Sequence, residues 1–268
     1  MQRPIKLAAK EYMGFAHDLA DLSAAAILPY FRRSLKVANK QRGPGFDPVT
    51  AADRAAERQI RAAIAKRFPD HGILGEEFAS VDGAGRYRWV VDPIDGTRAF
   101  IMGSPLWGTL IGLLAEGRPV LGIMDQPFTR ERFWGDGRTA RMRGPDGRQR
   151  RLKTRACRTL ADAVVTSTDP EMFTGPGERT GFGRVKARAR MTRYGGDCYG
   201  YCLLAAGLVD VVIEAGLKPH DIVALIPIIE GAGGHVTTWD GKPALQGGRI
   251  VAAGDTRAHA EAIALLSA

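Results

Sequence analysis

A chain of 268 residues, 45% hydrophobic and 25% charged, has ample material for a packed core in one large domain or two lobes, which excludes a disordered or fibrous class. Its formal net charge of +9 raises a nucleic-acid partner, but the basic clusters carry no interleaved aromatics and no zinc-finger or RNP-like motif. No run of about 18 apolar residues and no signal-type segment occurs, so no membrane span is expected and the protein is assigned to the cytoplasm.

Residues 6 to 31 read as one amphipathic helix, with Leu7, Tyr12, Phe15, Leu19, Leu22 and Ala26 at helical spacings and Pro29 disturbing the last turn. Residues 39 to 48 form a loop full of breakers. A second helix runs from Thr50 to about Phe68, and Thr50 and Asp53 are spaced as a capping box with Asp in place of Glu. Gly72 to Gly75 is a short strand ending at Glu76-Glu77, which locally reads as a solvated turn. Strands near Trp107 to Leu114 and Val120 to Asp125 follow, and Thr129 to Arg151 continues as antiparallel hairpin. The nine basic residues between Arg138 and Arg158 read as solvated surface.

The second half changes character. Asp162 to Thr168 is a strand and residues 169 to 173 a short helix. Arg184, Lys186, Arg188 and Arg190 alternate with Val185, Ala187, Ala189 and Met191, which predicts a strand with a basic outer face. Arg193 shares the parity of its inward residues if the strand runs that far, and an inward Arg calls for an anionic partner. Gly195-Gly196-Asp197 precedes a helix from Cys198 to Ala206, with Asp197 as its N-cap. Val209 to Glu214 is a buried strand, and Lys218-Pro219-His220-Asp221 leads a helix from Ile222 to Glu230, with Asp221 again placed as a cap. Strands 234–238 and 249–253 and a helix from Ala258 to Leu266 complete an alternating half. The fold class is α+β followed by α/β: an antiparallel N-terminal lobe to about residue 155 and an alternating C-terminal lobe from about 156 to 268. Three cysteines, Cys157, Cys198 and Cys202, argue against a disulfide framework and for a reducing compartment.

The chemistry centres on Trp89-Val90-Val91-Asp92-Pro93-Ile94-Asp95-Gly96-Thr97. An apolar run delivers two carboxylates to a turn, with Pro93 biasing Asp92 toward extended backbone. Held together, two such charges call for a cation. Gly96 and Thr97 offer N–H groups at a helix start, where an anion is welcome. Asp53, Glu76, Asp92, Asp95, Glu214 and Asp221 all fall at element ends, where side chains converge across a fold. No nucleophile elbow, reactive-cysteine signature, Walker A loop or zinc motif is present. All-oxygen donors favour a hard cation such as Mg2+.

These residues carry a resemblance. Glu76-Glu77 after Ile73-Leu74-Gly75, then Asp92-Pro93-Ile94-Asp95-Gly96-Thr97, then Asp221 before Gly231-Ala232-Gly233-Gly234, resemble the inositol monophosphatase superfamily of Mg2+-dependent, lithium-sensitive phosphatases from about residue 5 to 265. Thr97-Arg98-Ala99-Phe100-Ile101, Trp107-Gly108-Thr109-Leu110-Ile111, Arg193-Tyr194-Gly195-Gly196-Asp197 and Gly216-Leu217-Lys218-Pro219 are more similar to histidinol-phosphate phosphatases of that type. His220 departs from the pattern, which commonly has Trp or Tyr there. It reads as a packing variant, with a narrowed metal margin or a substrate contact as alternatives.

The resemblance implies a layered αβαβα sugar-phosphatase-like fold as a single domain over 1–268, and a homodimer. It implies two or three Mg2+ ions on Glu76, Asp92, the Ile94 carbonyl, Asp95 and Asp221, with Glu77 in support. Asp53 and Thr97 would activate a water, with Glu76 beside them, and Gly96 and Thr97 would hold phosphate. Arg193, Gly195, Gly196, Asp197, Glu214 and Asp221 would meet the substrate. The expected substrate is a small phosphate monoester, L-histidinol phosphate, and the alternative is inositol 1-phosphate or another small phosphate. A basic nucleic-acid-binding protein on this fold ranks below both, because unused carboxylates would repel phosphates.

Overall fold

The computed structural model describes residues 5–34, 37–40 and 48–268. Helix α1 (Ile5–Ile27) stops two residues before Pro29. The Leu7 side chain and residues 41–47 of the expected loop lie outside the described residues. That loop is bounded by an antiparallel pair, β1 (Val37–Asn39) and β2 (Pro48–Thr50), too short to show a period in the sequence. Helix α2 (Ala51–Arg67) follows with Thr50 as its N-cap.

The first sheet has seven strands in chain order: β3 (Gly72–Gly75), β4 (Tyr87–Asp95), β5 (Gly108–Ala115), β6 (Arg118–Gln126), β7 (Glu131–Gly135), β8 (Ala140–Arg143) and β9 (Gln149–Arg151). Only β3 and β4 are parallel. A short helix, α3 (Thr97–Ile101), joins β4 to β5.

The second sheet has five strands: β10 (Val164–Ser167), β11 (Met191–Tyr194), β12 (Val211–Leu217), β13 (His235–Thr238) and β14 (Gly248–Ala253). Their spatial order is β11-β10-β12-β14-β13. β10 runs parallel to both neighbours, whereas β14 is antiparallel to β12 and β13. The alternating pattern therefore lapses at the end. No helix separates β13 from β14, so the chain returns as a hairpin, which requires antiparallel pairing.

Five α-helices complete the described residues, α4 (Glu178–Arg188), α5 (Asp197–Ala205), α6 (Pro219–Ile222), α7 (Leu225–Gly231) and α8 (Thr256–Ser267), and single 3-10 turns form at Leu160–Asp162 and Pro170–Met172. Strand side chains alternate between faces, and this sorts the core into layers. On β5, Ile111 and Leu113 pack with Leu19, Ile60 and Ile64 of α1 and α2, while Leu110 faces the opposite way. On β14, Ile250 and Ala252 join Leu110, Tyr201 and Ile228 in the central layer. Val251 and Ala253 instead meet Phe182 and Val185 of α4 and Ala258 and Ala262 of α8. The order is α1/α2, first sheet, α5/α6/α7, second sheet, α4/α8: the αβαβα layering.

The predicted basic strand over 184–191 is a helix. Gly181, Phe182 and Val185 are its buried residues, spaced as one helical face. Ala187 is exposed and Ala189 only partly buried, so the inward row that the alternation implied does not exist. Glu178 in the first turn and Lys186 and Arg188 in the last suit the helix dipole. The strand begins only at Met191, which is 47% exposed. Arg193 is accordingly exposed, not inward.

The central layer sits tightly on the first sheet. A Cβ placed on Gly122 of β6 would lie 1.8 Å from the Ala224 carbonyl oxygen, between α6 and α7. We predict that Gly122→Ala destabilises the protein by about 3 kcal/mol, the upper part of the overpacking range, because backbone must move to admit the methyl. Urea denaturation checks this, and a loss below about 0.5 kcal/mol would mean that the seam is loose.

Candidate active site

The ladder between β4 and β5 shifts at the motif. Asp92 pairs with Leu110 and Asp95 with Gly108, so β4 spends an extra residue there, as a bulge. Pro93 is tolerated at such a point because no ladder donor is needed. The Pro93 carbonyl accepts from Thr109 Oγ1 at 2.7 Å, which lies 2.8 Å from Ser23 Oγ on α1. The Ile94 side chain anchors the turn among Phe31, Phe100 and Trp107. The Ile94 N–H donates to Asp92 Oδ1 at 3.0 Å. Gly96 then takes φ +83° and caps α3, in a space where a Cβ would lie 2.9 Å from the Leu106 carbonyl. Gly96 and Thr97 thus stand at the open N-terminal end of α3, as the sequence suggests.

The other acids arrive from three directions. Glu76 and Glu77 follow β3, and their turn is pinned by Glu57, a fully buried residue of α2. Glu57 accepts from Glu77 N at 2.7 Å and Phe78 N at 3.3 Å, and its charge is met by Arg61 at 2.7 Å. Asp221 lies in α6, where its Oδ2 accepts from Lys218 N at 2.6 Å. Lys218 is therefore the N-cap, and Asp221 is not. The expected helix from Ile222 to Glu230 is split into α6 and α7. Asp53 closes the capping box, its Oδ2 accepting from Thr50 N at 2.8 Å and Thr50 Oγ1 at 2.6 Å. Its Oδ1 is buried and unpartnered among the described residues.

Two groups of donor atoms result, each within 4.8 Å: Asp92, Asp95 and Asp221 in one, Glu76, Asp92 and His220 in the other. Asp92 belongs to both. Burial first, and the neighbouring negative charges second, push Asp92 and Asp95 well above the usual carboxylate range. Burial likewise raises Asp221 and Asp53. A cation would relieve this, and the oxygen-rich donor set fits Mg2+. Glu77 stands apart from both groups: Lys40 Nζ bonds Glu76 at 2.6 Å and Glu77 at 2.9 Å. Against the downward pull of burial, those two bonds hold the Lys40 ammonium protonated.

Thr97 and Asp53 are not joined by a hydrogen bond among the described residues. The Thr97 hydroxyl donates to the Ile94 carbonyl at 3.0 Å, the oxygen expected to face a cation. Asp95 reaches the opposite way, its Oδ2 accepting from Cys198 N at 2.7 Å. This corrects the cap of α5. Gly196 is its N-cap residue and Asp95 supplies the acceptor from outside the helix, while Asp197 is the first helical residue, at φ +43°. Gly195 takes φ +88° and donates to Ser167 O at 3.1 Å and Thr168 O at 2.9 Å.

The Asp197 carboxyl packs beside Gly96, whose added Cβ would meet it at 3.2 Å. Burial pushes its pKa up to about 6, with Arg98 pulling it down. Glu214, on β12, is 3% exposed and pushed by burial to about 7. It accepts from Tyr201 OH at 2.9 Å and Thr168 N at 3.1 Å. The Thr168 hydroxyl also donates to Glu214 and accepts from Asp197 N, which ties the two acids together. Arg193, exposed, makes no side-chain hydrogen bond or ion pair with the described residues.

Glu57, Lys40, Thr168 and Tyr201 do not emerge from the sequence reading. Only Glu57 leaves a usable trace: Asp53, Glu57, Ile60 and Ile64 share one helical face, which puts acids on an otherwise apolar stripe.

The profile of the family described as "Inositol monophosphatase family" matches residues 9–268. The chain is 41% identical, over 98% of its length and 78% of the relative's, to the bifunctional phosphatase IMPL2, chloroplastic, of Arabidopsis thaliana. It is 37% identical to a histidinol-phosphatase of Chlorobaculum parvum, over 86% of each chain. A solved inositol monophosphatase from Zymomonas mobilis superposes with a TM-score of 0.85 at 39% identity, covering 97% of this chain and 99% of that one.

The raised carboxyls set a sign for stability. Above about pH 4 unfolded carboxyls ionise, while the folded cluster keeps its protons, so the folded state binds more protons and loses stability as pH rises. The window extends through the folded values, about 6 for Asp197 and about 7 for Glu214. We predict that in chelator Tm falls from about pH 4 to about pH 7, and that Mg2+ flattens the fall. Asp92→Asn should remove part of the slope in chelator. Scanning calorimetry of both proteins checks it, and identical slopes would remove Asp92 from the effect.

Proposed function

The chain belongs to the inositol monophosphatase family and is a phosphatase, and on that premise we propose that it hydrolyses L-histidinol phosphate to L-histidinol and phosphate with Mg2+ as cofactor. Two donor groups that share Asp92, one with Asp95 and Asp221 and the other with Glu76, carry the reaction type. These four side chains, with the Ile94 carbonyl, would hold two or three ions. Bound there, Mg2+ supplies positive charge that offsets the phosphate and polarises water.

The residues do the rest. Asp53 keeps Oδ2 on Thr50 and leaves Oδ1 to take the proton of the attacking water. Thr97 orients that water once its hydroxyl leaves the Ile94 carbonyl, which the cofactor would then occupy. The N–H groups of Gly96 and Thr97 hold phosphate oxygens at the start of α3. Gly195 and Gly196 shape the turn that presents Asp197, and the exposed Arg193 is free to meet the phosphate.

Substrate choice rests on the acids that remain. Histidinol phosphate carries an amine and an imidazole. Asp197 stands beside Gly96, at the edge of the phosphate position, with Glu214 behind it through Thr168. A cation docked there would return both carboxyls to the ionised form. The 37%-identical relative named as a histidinol-phosphatase supports this choice. An inositol monophosphate is the second reading, favoured by the name of the solved structure at 39% identity.

Turnover of both substrates, with and without Mg2+ and with lithium as inhibitor, decides between them. Preference for inositol 1-phosphate would sink the histidinol reading. Asp92→Asn is expected to abolish turnover and weaken Mg2+ binding, and near-normal activity would refute its metal role. Glu214→Gln should raise KM for histidinol phosphate more than for a generic phosphate ester. Equal effects would take Glu214 out of recognition.

A further inference from the structure

Among the described residues, the cation cluster contains one donor that is not oxygen. A ring nitrogen of His220 lies within 4.8 Å of carboxylate oxygens of both Glu76 and Asp92, and its Nε2 stands 3.4 Å from Asp221 Oδ1. The ring is partly buried, with its side chain 16% exposed. Its backbone is fixed as well, since Pro219 opens α6 and Asp221, the next residue, is tied to Lys218 N. His220 thus points a ring nitrogen into the acidic cluster.

We infer that His220 is a metal ligand of this chain, forming with Glu76 and Asp92 a site of two carboxylates and one imidazole that takes a borderline cation, Zn2+, in preference to Mg2+. Ligand atoms about 2 Å from a shared ion lie roughly 3–4 Å apart, so modest side-chain movement closes the group. Imidazole suits Zn2+, whereas Mg2+ prefers oxygen donors and retained waters. The other group, Asp92, Asp95 and Asp221, has oxygen donors only and keeps its preference for Mg2+. The two positions would therefore differ in selectivity although they share Asp92.

The inference rests on reading the cluster as a cation site, and the experiment separates the two. Metal-stripped protein is titrated by calorimetry with Mg2+ and with Zn2+, as wild type, His220→Trp and His220→Asn. Zn2+ affinity should fall by about tenfold or more in both variants, as ligand-shell changes do. Mg2+ affinity should stay within about threefold, which also shows that the variants keep their fold. In protein carrying 15N-labelled histidine, of which the chain has five, Zn2+ should shift the ring resonance that is missing from His220→Asn. Equal loss of Mg2+ and Zn2+ affinity would make His220 only the ion-pair partner of Asp221 and overturn the inference. Unchanged Zn2+ affinity or an unshifted resonance would overturn it too. Wild type that binds neither metal would overturn the cation site itself.

Discussion

Buried carboxylates of like charge repel, and the layers of this molecule form the frame that holds them together against that repulsion. Each acid gives one oxygen to a fixed donor. Asp92 Oδ1 takes the Ile94 N–H, Asp95 Oδ2 that of Cys198, and Asp221 Oδ2 that of Lys218. Glu76 Oε1 takes Lys40 Nζ. Asp53 follows the same pattern with Thr50. Tying one oxygen sets the direction of the other, so the acids are oriented before any ligand arrives. Without a cation the cost appears as carboxyls pushed above their usual range, chiefly by burial.

The frame explains why two sheets are needed. Glu76, Asp92 and Asp95 come from strand ends of the first sheet, and Asp221 comes from the helix that follows β12 of the second. The contact of Gly122 with Ala224 seats the junction between α6 and α7 against β6, so Asp221, three residues before Ala224, is placed by backbone packing as well as by its own hydrogen bond. Glu57 does for Glu76 what Lys218 does for Asp221: it fixes the turn from which the acid projects.

Much of this was legible in the sequence because element ends are punctuated. The capping box of Thr50 and Asp53, the apolar run into Asp92 and the period-two strands all have local physical signatures. The basic segment before Met191 misled because its residues alternate, whereas only Gly181, Phe182 and Val185 need burial, and helix dipole complementarity decides the rest. Arg193 fell with that strand. The cap of α5 was also out of reach, since its acceptor, Asp95, lies about a hundred residues upstream. The nearness of His220 to Glu76 and Asp92 was not legible either, because it is a property of the fold and not of neighbours in sequence.

The bond from Cys198 N to Asp95 makes one carboxylate both a member of the cluster and the acceptor at the first turn of α5. A charged acceptor there is worth more than a neutral one, so the ionisation of Asp95 and the stability of a buried helix are two sides of one equilibrium. Such linkage works in both directions. A substitution deep in the central layer, against the buried Cys202 of α5, would be felt as a change in affinity at the cluster. The packing around α5 and the charge state of the cluster thereby draw on one shared free energy.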